Sequence, residues 1–126
     1  MRYMLLQHHA EPTDEHPIDP EAMEAGRVAM TAYAATLHAA GVLIGAEILA
    51  GSPNSTTVSV TGDDVRIQDG PFADTKEQLG GVFVIDVADL DAALEWARQA
   101  PAAEWGTVEV RPSAIHTVGG EWVRSA

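Results

Sequence analysis

A chain of 126 residues with a formal net charge of −12 and no cysteine has room for a real core, but none for disulfides, thiolate chemistry or Cys-bound metal. Its apolar fraction of 46% and charged fraction of 21% are those of a folded globular domain rather than a disordered chain. The negative balance repels phosphate backbones, so no nucleic-acid partner is expected.

Residues 2–8 alternate as a strand does, with Tyr3 and Leu5 on one side and Met4 and Leu6 on the other. A Pro-, Asp-, Glu- and His-rich loop spans 9–19. Asp19-Pro20 then opens a helix, with Asp as the cap and Pro at the first helical position. Met23, Met30, Tyr33 and Leu37 form its apolar stripe, Ile18 can staple Met23, and Gly41 ends it. Residues 42–50 read as an apolar strand broken by Glu47. Residues 56–61 and 65–69 read as a hairpin around Gly62-Asp63-Asp64, followed by a loop from Asp69 to Gly81. Val82-Phe83-Val84-Ile85 is a strand, and Asp89 caps a helix burying Leu90, Ala93, Leu94 and Ala97 until Pro101 stops it. A strand at 107–111 and a ragged extension at 115–123 complete the chain.

Strand–helix–strand, hairpin, strand–helix–strand is the plan of two split βαβ units. The expected fold is α+β and ferredoxin-like: an antiparallel sheet with two helices on one face, in one domain over 1–126. Strands 42–50 and 82–87 are apolar at both parities, which calls for cover on both faces. Two helices cover only one. A homodimer is therefore expected, the second copy closing the open face; the alternative is that 113–126 folds over it. The opening residues 1–7 are apolar too briefly for a signal peptide, and no stretch has the length of a membrane span. A cytoplasmic protein without membrane contact is the expectation.

Several residues are candidates for chemistry. Glu47 interrupts an apolar strand on the parity of Leu43 and Leu49. Buried there, its carboxylate would bind a proton more tightly and suit a general base; an edge position or an arginine partner are the alternatives. Asp69 ends a strand at Asp69-Gly70-Pro71, where it can simply set the turn or point into a pocket as a catalytic group. Lys76, the sole lysine, and Glu77 precede Gly80-Gly81, a pair that permits close approach of a backbone or ligand. Lys76 or Arg111 could hold a small anionic or polar ligand, or Lys76 could neutralise Asp74 and Glu77. His8 and His9 point to opposite faces, so the two cannot share an ion on a straight strand; His8 is kept as a pocket candidate. His9, Glu11 and His16 could meet only through loop bending, and no metal is expected. Trp96, Trp105 and Trp122 read as packing residues.

The string Asp69-Gly70-Pro71-Phe72-Ala73-Asp74-Thr75-Lys76-Glu77-Gln78-Leu79-Gly80-Gly81 resembles the DGPF motif of the YCII-related family. Residues 82–96, Thr107-Val108-Glu109-Val110-Arg111-Pro112, the opening 2–6 and Ala40-Gly41-Val42-Leu43 look like the same family, so the likeness covers nearly the whole chain. It implies a ferredoxin-like fold assembled as a dimeric α+β barrel, and it implies no known substrate. Shorter members carry a histidine on the first helix, proposed to act with an aspartate; counting back from Gly41, Met30 stands at that place, and a thioether moves no proton at neutral pH. Some DGPF proteins are associated with, or fused to, extracytoplasmic-function sigma factors.

Three functions follow as expectations. The first is a small cofactor-independent enzyme moving a proton on a carbonyl or carboxylate compound, in the manner of an isomerase or lyase, with Glu47 or Asp69 as base. The second is a non-catalytic ligand-binding or regulatory module linked to transcription. The third is a purely structural dimerisation domain.

Overall fold

The computed structural model describes residues 1–125. Strands β1 (Arg2–His9), β2 (Leu43–Ile48), β5 (Gln78–Asp86) and β6 (Gly106–Pro112) form one sheet in the order β2-β5-β1-β6. Every neighbouring pair is antiparallel. Helix α1 (Pro20–Ala39) connects β1 to β2, and α2 (Leu90–Arg98) with the short α3 (Ala102–Trp105) connects β5 to β6. This is the ferredoxin-like α+β arrangement of two interleaved split units.

Alternation decides which side chains enter the core. Tyr3 and Leu5 of β1 and Phe83 and Ile85 of β5 turn to the helix side and are buried. Leu37 and Tyr33 of α1 and Ala93 and Ala97 of α2 close over them. The rings of Tyr33 and Phe83 meet edge to face, with centroids 5.2 Å apart. The Tyr33 hydroxyl donates to the Trp96 carbonyl at 2.8 Å and so ties α1 to α2.

Both helix starts follow the cap chemistry. The Asp19 carboxylate accepts from the Glu21 N–H, and that of Asp89 accepts from the Ala92 N–H. Gly41, with φ +74°, provides the left-handed exit from α1 that a side chain would strain. The expected buried face of α2 needs correction. Ala93 and Ala97 are buried, whereas Leu90 and Leu94 are exposed, because the helix turns its Ala93–Trp96–Ala97 arc toward the sheet. The expected α1 stripe is also incomplete: Met23 is exposed beyond the core's end.

Two bulges alter the expected register. In β5 the pairing jumps from Gln7↔Gly81 to His8↔Leu79, which leaves Gly80 unpaired. β5 thus starts at Gln78, inside the segment expected to be loop. In β2 the pairing jumps from Leu43↔Ile85 to Gly45↔Val84. The extra residue moves Glu47 off the parity of Leu43 and onto the outward face, opposite Val82.

The outward face carries Met4, Leu6, Val82 and Val84, each half-buried, and no helix. Strands β3 (Thr56–Thr61) and β4 (Asp64–Asp69) form a separate hairpin, as do β7 (Ile115–Val118) and β8 (Glu121–Arg124). The C-terminal hairpin pairs with itself, and Trp122 and Val118 are exposed. No helix among the described residues is long and apolar enough to cross a membrane.

Candidate functional site

A groove of about 1300 Å³ opens where the outward sheet face meets the base of the β3–β4 hairpin and the loop 71–77. Its walls include His8 of β1, Thr107 and Glu109 of β6, Thr57 of β3, and Lys76 and Glu77 of the loop. The hairpin base is pinned in place: the Gly70 N–H donates to the Ser55 carbonyl and the Thr57 hydroxyl donates to the Gly70 carbonyl, both at 2.7 Å. Asp69-Gly70 thus ends β4 with Gly70 at φ +105°, a conformation glycine adopts freely.

His8 and Glu109 lie on the same outward face because both strands alternate in step, with Leu6 opposite Glu109 and His8 opposite Thr107. The His8 Nε2 lies 3.4 Å from the Glu109 Oε1. That nitrogen is shielded from water and is not aligned for a hydrogen bond with any described residue. Arg111, two residues along the strand, donates to the other Glu109 oxygen. The Arg111 bond chiefly holds the Glu109 carboxyl below the usual carboxylate range, and His8 contributes less. Glu109 is therefore an anion at neutral pH, facing an imidazole.

His8, Lys76 and Glu77 come together on the groove. Arg111 reaches it through Glu109. Glu47 and Asp69 do not line it; Glu47 is exposed on β2 and Asp69 is exposed at the end of β4. Glu11 is occupied elsewhere, since its carboxylate accepts from the Ser52 N–H at 2.6 Å and from the Ser52 hydroxyl. The Ser52 bonds push its carboxyl down, the hydroxyl foremost. Among the described residues no group of three ligating side chains could hold a metal ion.

Sequence reading missed two residues. Glu109 is the partner of His8, and its signal was the spacing of Glu109 and Arg111, i and i+2 on one strand face. Gln7 continues the inward parity of Tyr3 and Leu5 and is only 3% exposed; its signal in the sequence is a polar residue at a core position. The glycine pair also has a specific neighbour. A Cβ on Gly80 would lie 2.4 Å from the His9 Nε2, and one on Gly81 would lie 2.9 Å from the Ile48 Cδ1, so protein side chains occupy the space those glycines leave. His9 thus faces away from the groove and lines a second cavity together with Met30.

The model of the YCII-related domain matches residues 1–114. An uncharacterised protein of Rhizobium meliloti (strain 1021) is 43% identical over 67 residues, which cover 52% of this chain and 54% of that protein. The chain thus spans about half the length of the curated relative it matches. Motif, fold and family match agree over the sheet, the helices and the DGPF loop: the chain belongs to the YCII-related domain family.

Proposed function

We propose that the groove is the active site of a small cofactor-independent enzyme that moves a proton on a carbonyl or carboxylate compound. The observation that carries this reading is the His8–Glu109 pair at 3.4 Å on the wall of a groove that also holds Lys76. An anionic Glu109 beside Nε2 favours the tautomer with its proton on Nε2, which leaves Nδ1 free to accept one. In the proposed step a C–H next to the carbonyl gives its proton to Nδ1, and the C–H electron pair moves into the enolate. Glu109 stabilises the imidazolium, Lys76 holds the enolate or carboxylate oxygen, and the imidazolium returns a proton to the same carbon or, where a C=C is conjugated with the enolate, to the far carbon of that system. Neither Glu47 nor Asp69 is needed for this step.

A panel of 2-oxo and 3-oxo acids, pyruvate and acetoacetate among them, incubated in D2O and followed by proton NMR tests the reading. The wild-type chain should accelerate exchange next to the carbonyl for at least one compound. His8→Asn and Lys76→Met should each slow that exchange by about 100-fold or more. Exchange no faster than in buffer across the panel, or undiminished in His8→Asn, rejects it.

The functional unit in this reading is a homodimer in the cytoplasm. Support for the second copy comes from the uncovered outward sheet face and from the β3–β4 hairpin. Val58, Val60, Val65 and Ile67 share one face of that hairpin, and each is more than half exposed. An isolated two-stranded hairpin is marginal in water, so an apolar face of this kind calls for cover. A partner laid on the outward face would also desolvate Glu47. The same exposed hairpin favours a second reading, a regulatory module whose apolar hairpin meets a transcription regulator. A chain that stays monomeric and turns over nothing, yet retains such a regulator, would support that second reading instead.

A further inference from the structure

The groove divides chemically across His8. Strand register sets Leu79 of β5 on one side of His8 and Thr107 of β6 on the other, all three on the outward face. The bulge at Gly80 turns Leu79 outward; in unbroken register it would share the inward parity of Phe83. Leu49 comes up beside it. Its N–H donates to the Gly80 carbonyl at 2.9 Å, and two residues beyond Glu47 it keeps that residue's outward parity. Leu49 and Leu79 line the groove and are 46% and 40% exposed, and the Phe72 ring on the same wall is 94% exposed. The β6 side of His8 carries Thr107 and Glu109 instead. Among the described residues, Lys76 is the only lysine or arginine on the wall, and no carboxylate pairs with it.

From these features we infer that the groove takes a monocarboxylic acid with a branched aliphatic or aromatic side group, a 2-oxo acid in the proposed reaction, and that Leu79, Leu49 and Phe72 select it. The inference rests on the proton-transfer reading of the groove and names the class of compound. A carboxylate at Lys76 supplies the counter-ion that the chain itself does not. With the reacting carbon at His8, the rest of the molecule leaves either toward Thr107 and Glu109 or toward Leu79. The first path ends on the Glu109 carboxylate, which repels a second acid group, and the net charge of −12 opposes dianions more than monoanions. The second path is apolar, and each CH2 it takes out of water gains about fourfold in affinity.

Two measurements on the full chain separate the ligand class from the reaction. The first is proton NMR titration with 4-methylpentanoate and with acetate, neither of which has a ketone. The wild type should bind 4-methylpentanoate at least tenfold more tightly. Leu79→Thr and Phe72→Ala should each cut that preference about threefold or more. Phe72 lies outside the core, so Phe72→Ala decides the case if Leu79→Thr fails to fold by circular dichroism. The second measurement is proton exchange in D2O next to the carbonyl, where kcat/KM for 4-methyl-2-oxopentanoate should exceed that for pyruvate about tenfold, each taken relative to buffer. Preferred binding that falls in the variants, with neither oxo acid exchanging, would reject the proton-transfer reading and keep the ligand class. Exchange of pyruvate as efficient as that of 4-methyl-2-oxopentanoate would overturn the ligand class and keep the reaction. No binding of 4-methylpentanoate, or a preference unchanged in a folded Leu79→Thr, would also overturn the inference.

Discussion

The four-stranded sheet and the β3–β4 hairpin both gather apolar side chains on one face by strand alternation, and the two faces meet opposite fates. In the sheet the apolar parity faces two helices, and Leu5 and Ile85 lose all contact with water. In the hairpin no helix among the described residues covers the apolar parity, and Ile67 remains 67% exposed. Alternation fixes which side chains share a face; it does not say whether the chain itself will cover that face. The largest expected effect tests the covered region. Leu37, fully buried where α1 meets the sheet, should cost about 2–5 kcal/mol when replaced by Ala. Denaturant unfolding measures this, and a cost near that of a surface substitution would mean that the helix layer is not the source of stability.

What could be read in the sequence divides along the same line. Caps, alternation and turn residues are local, so Asp19-Pro20, Asp89, Gly41 and the order of the main elements were legible. The bulges were not. Whether Gly80 or Ile44 is left out of pairing depends on the strand opposite, and one skipped residue reverses every side chain after it. That is why Glu47 turned to the outward face and why Gly80-Gly81 joined a strand. α3 escaped for a different reason: Ala102–Trp105 is too short for a periodic signal. The groove was half legible. Lys76 and Glu77 stood out by motif, and His8 by type, but Glu109 became a partner only through the register of β1 with β6.

The next effect concerns the uncovered region. If a second copy covers the hairpin, burying Ile67 contributes about 1.5–3 kcal/mol, or roughly 10- to 100-fold in dimer affinity. Ile67→Lys should therefore turn a particle of twice 13.3 kDa into a monomer in sedimentation experiments at the same concentration. Its circular dichroism should hold, since the sheet core does not include Ile67. A wild-type chain that sediments as a monomer at every concentration would sharpen the contrast differently, because the exposed hairpin would then await another protein.

The smallest effect returns to the core and isolates one hydrogen bond. Burial pushes the Tyr33 hydroxyl up to about 12 from its ordinary 10.0. The folded chain thus keeps this proton more tightly than the unfolded chain does. The stabilisation is complete below about pH 10 and is lost as the pH rises toward about 12, when the unfolded phenol ionises and the folded one resists. Tyr33→Phe removes the proton and the bond to the Trp96 carbonyl but keeps the ring against Phe83. At neutral pH it should cost about 0.5–1.5 kcal/mol. Between pH 10 and 12 the variant's stability should fall less steeply than the wild type's. Equal slopes for the two proteins would show that the hydroxyl reaches water in solution, and that the joint between α1 and α2 is held by ring packing alone.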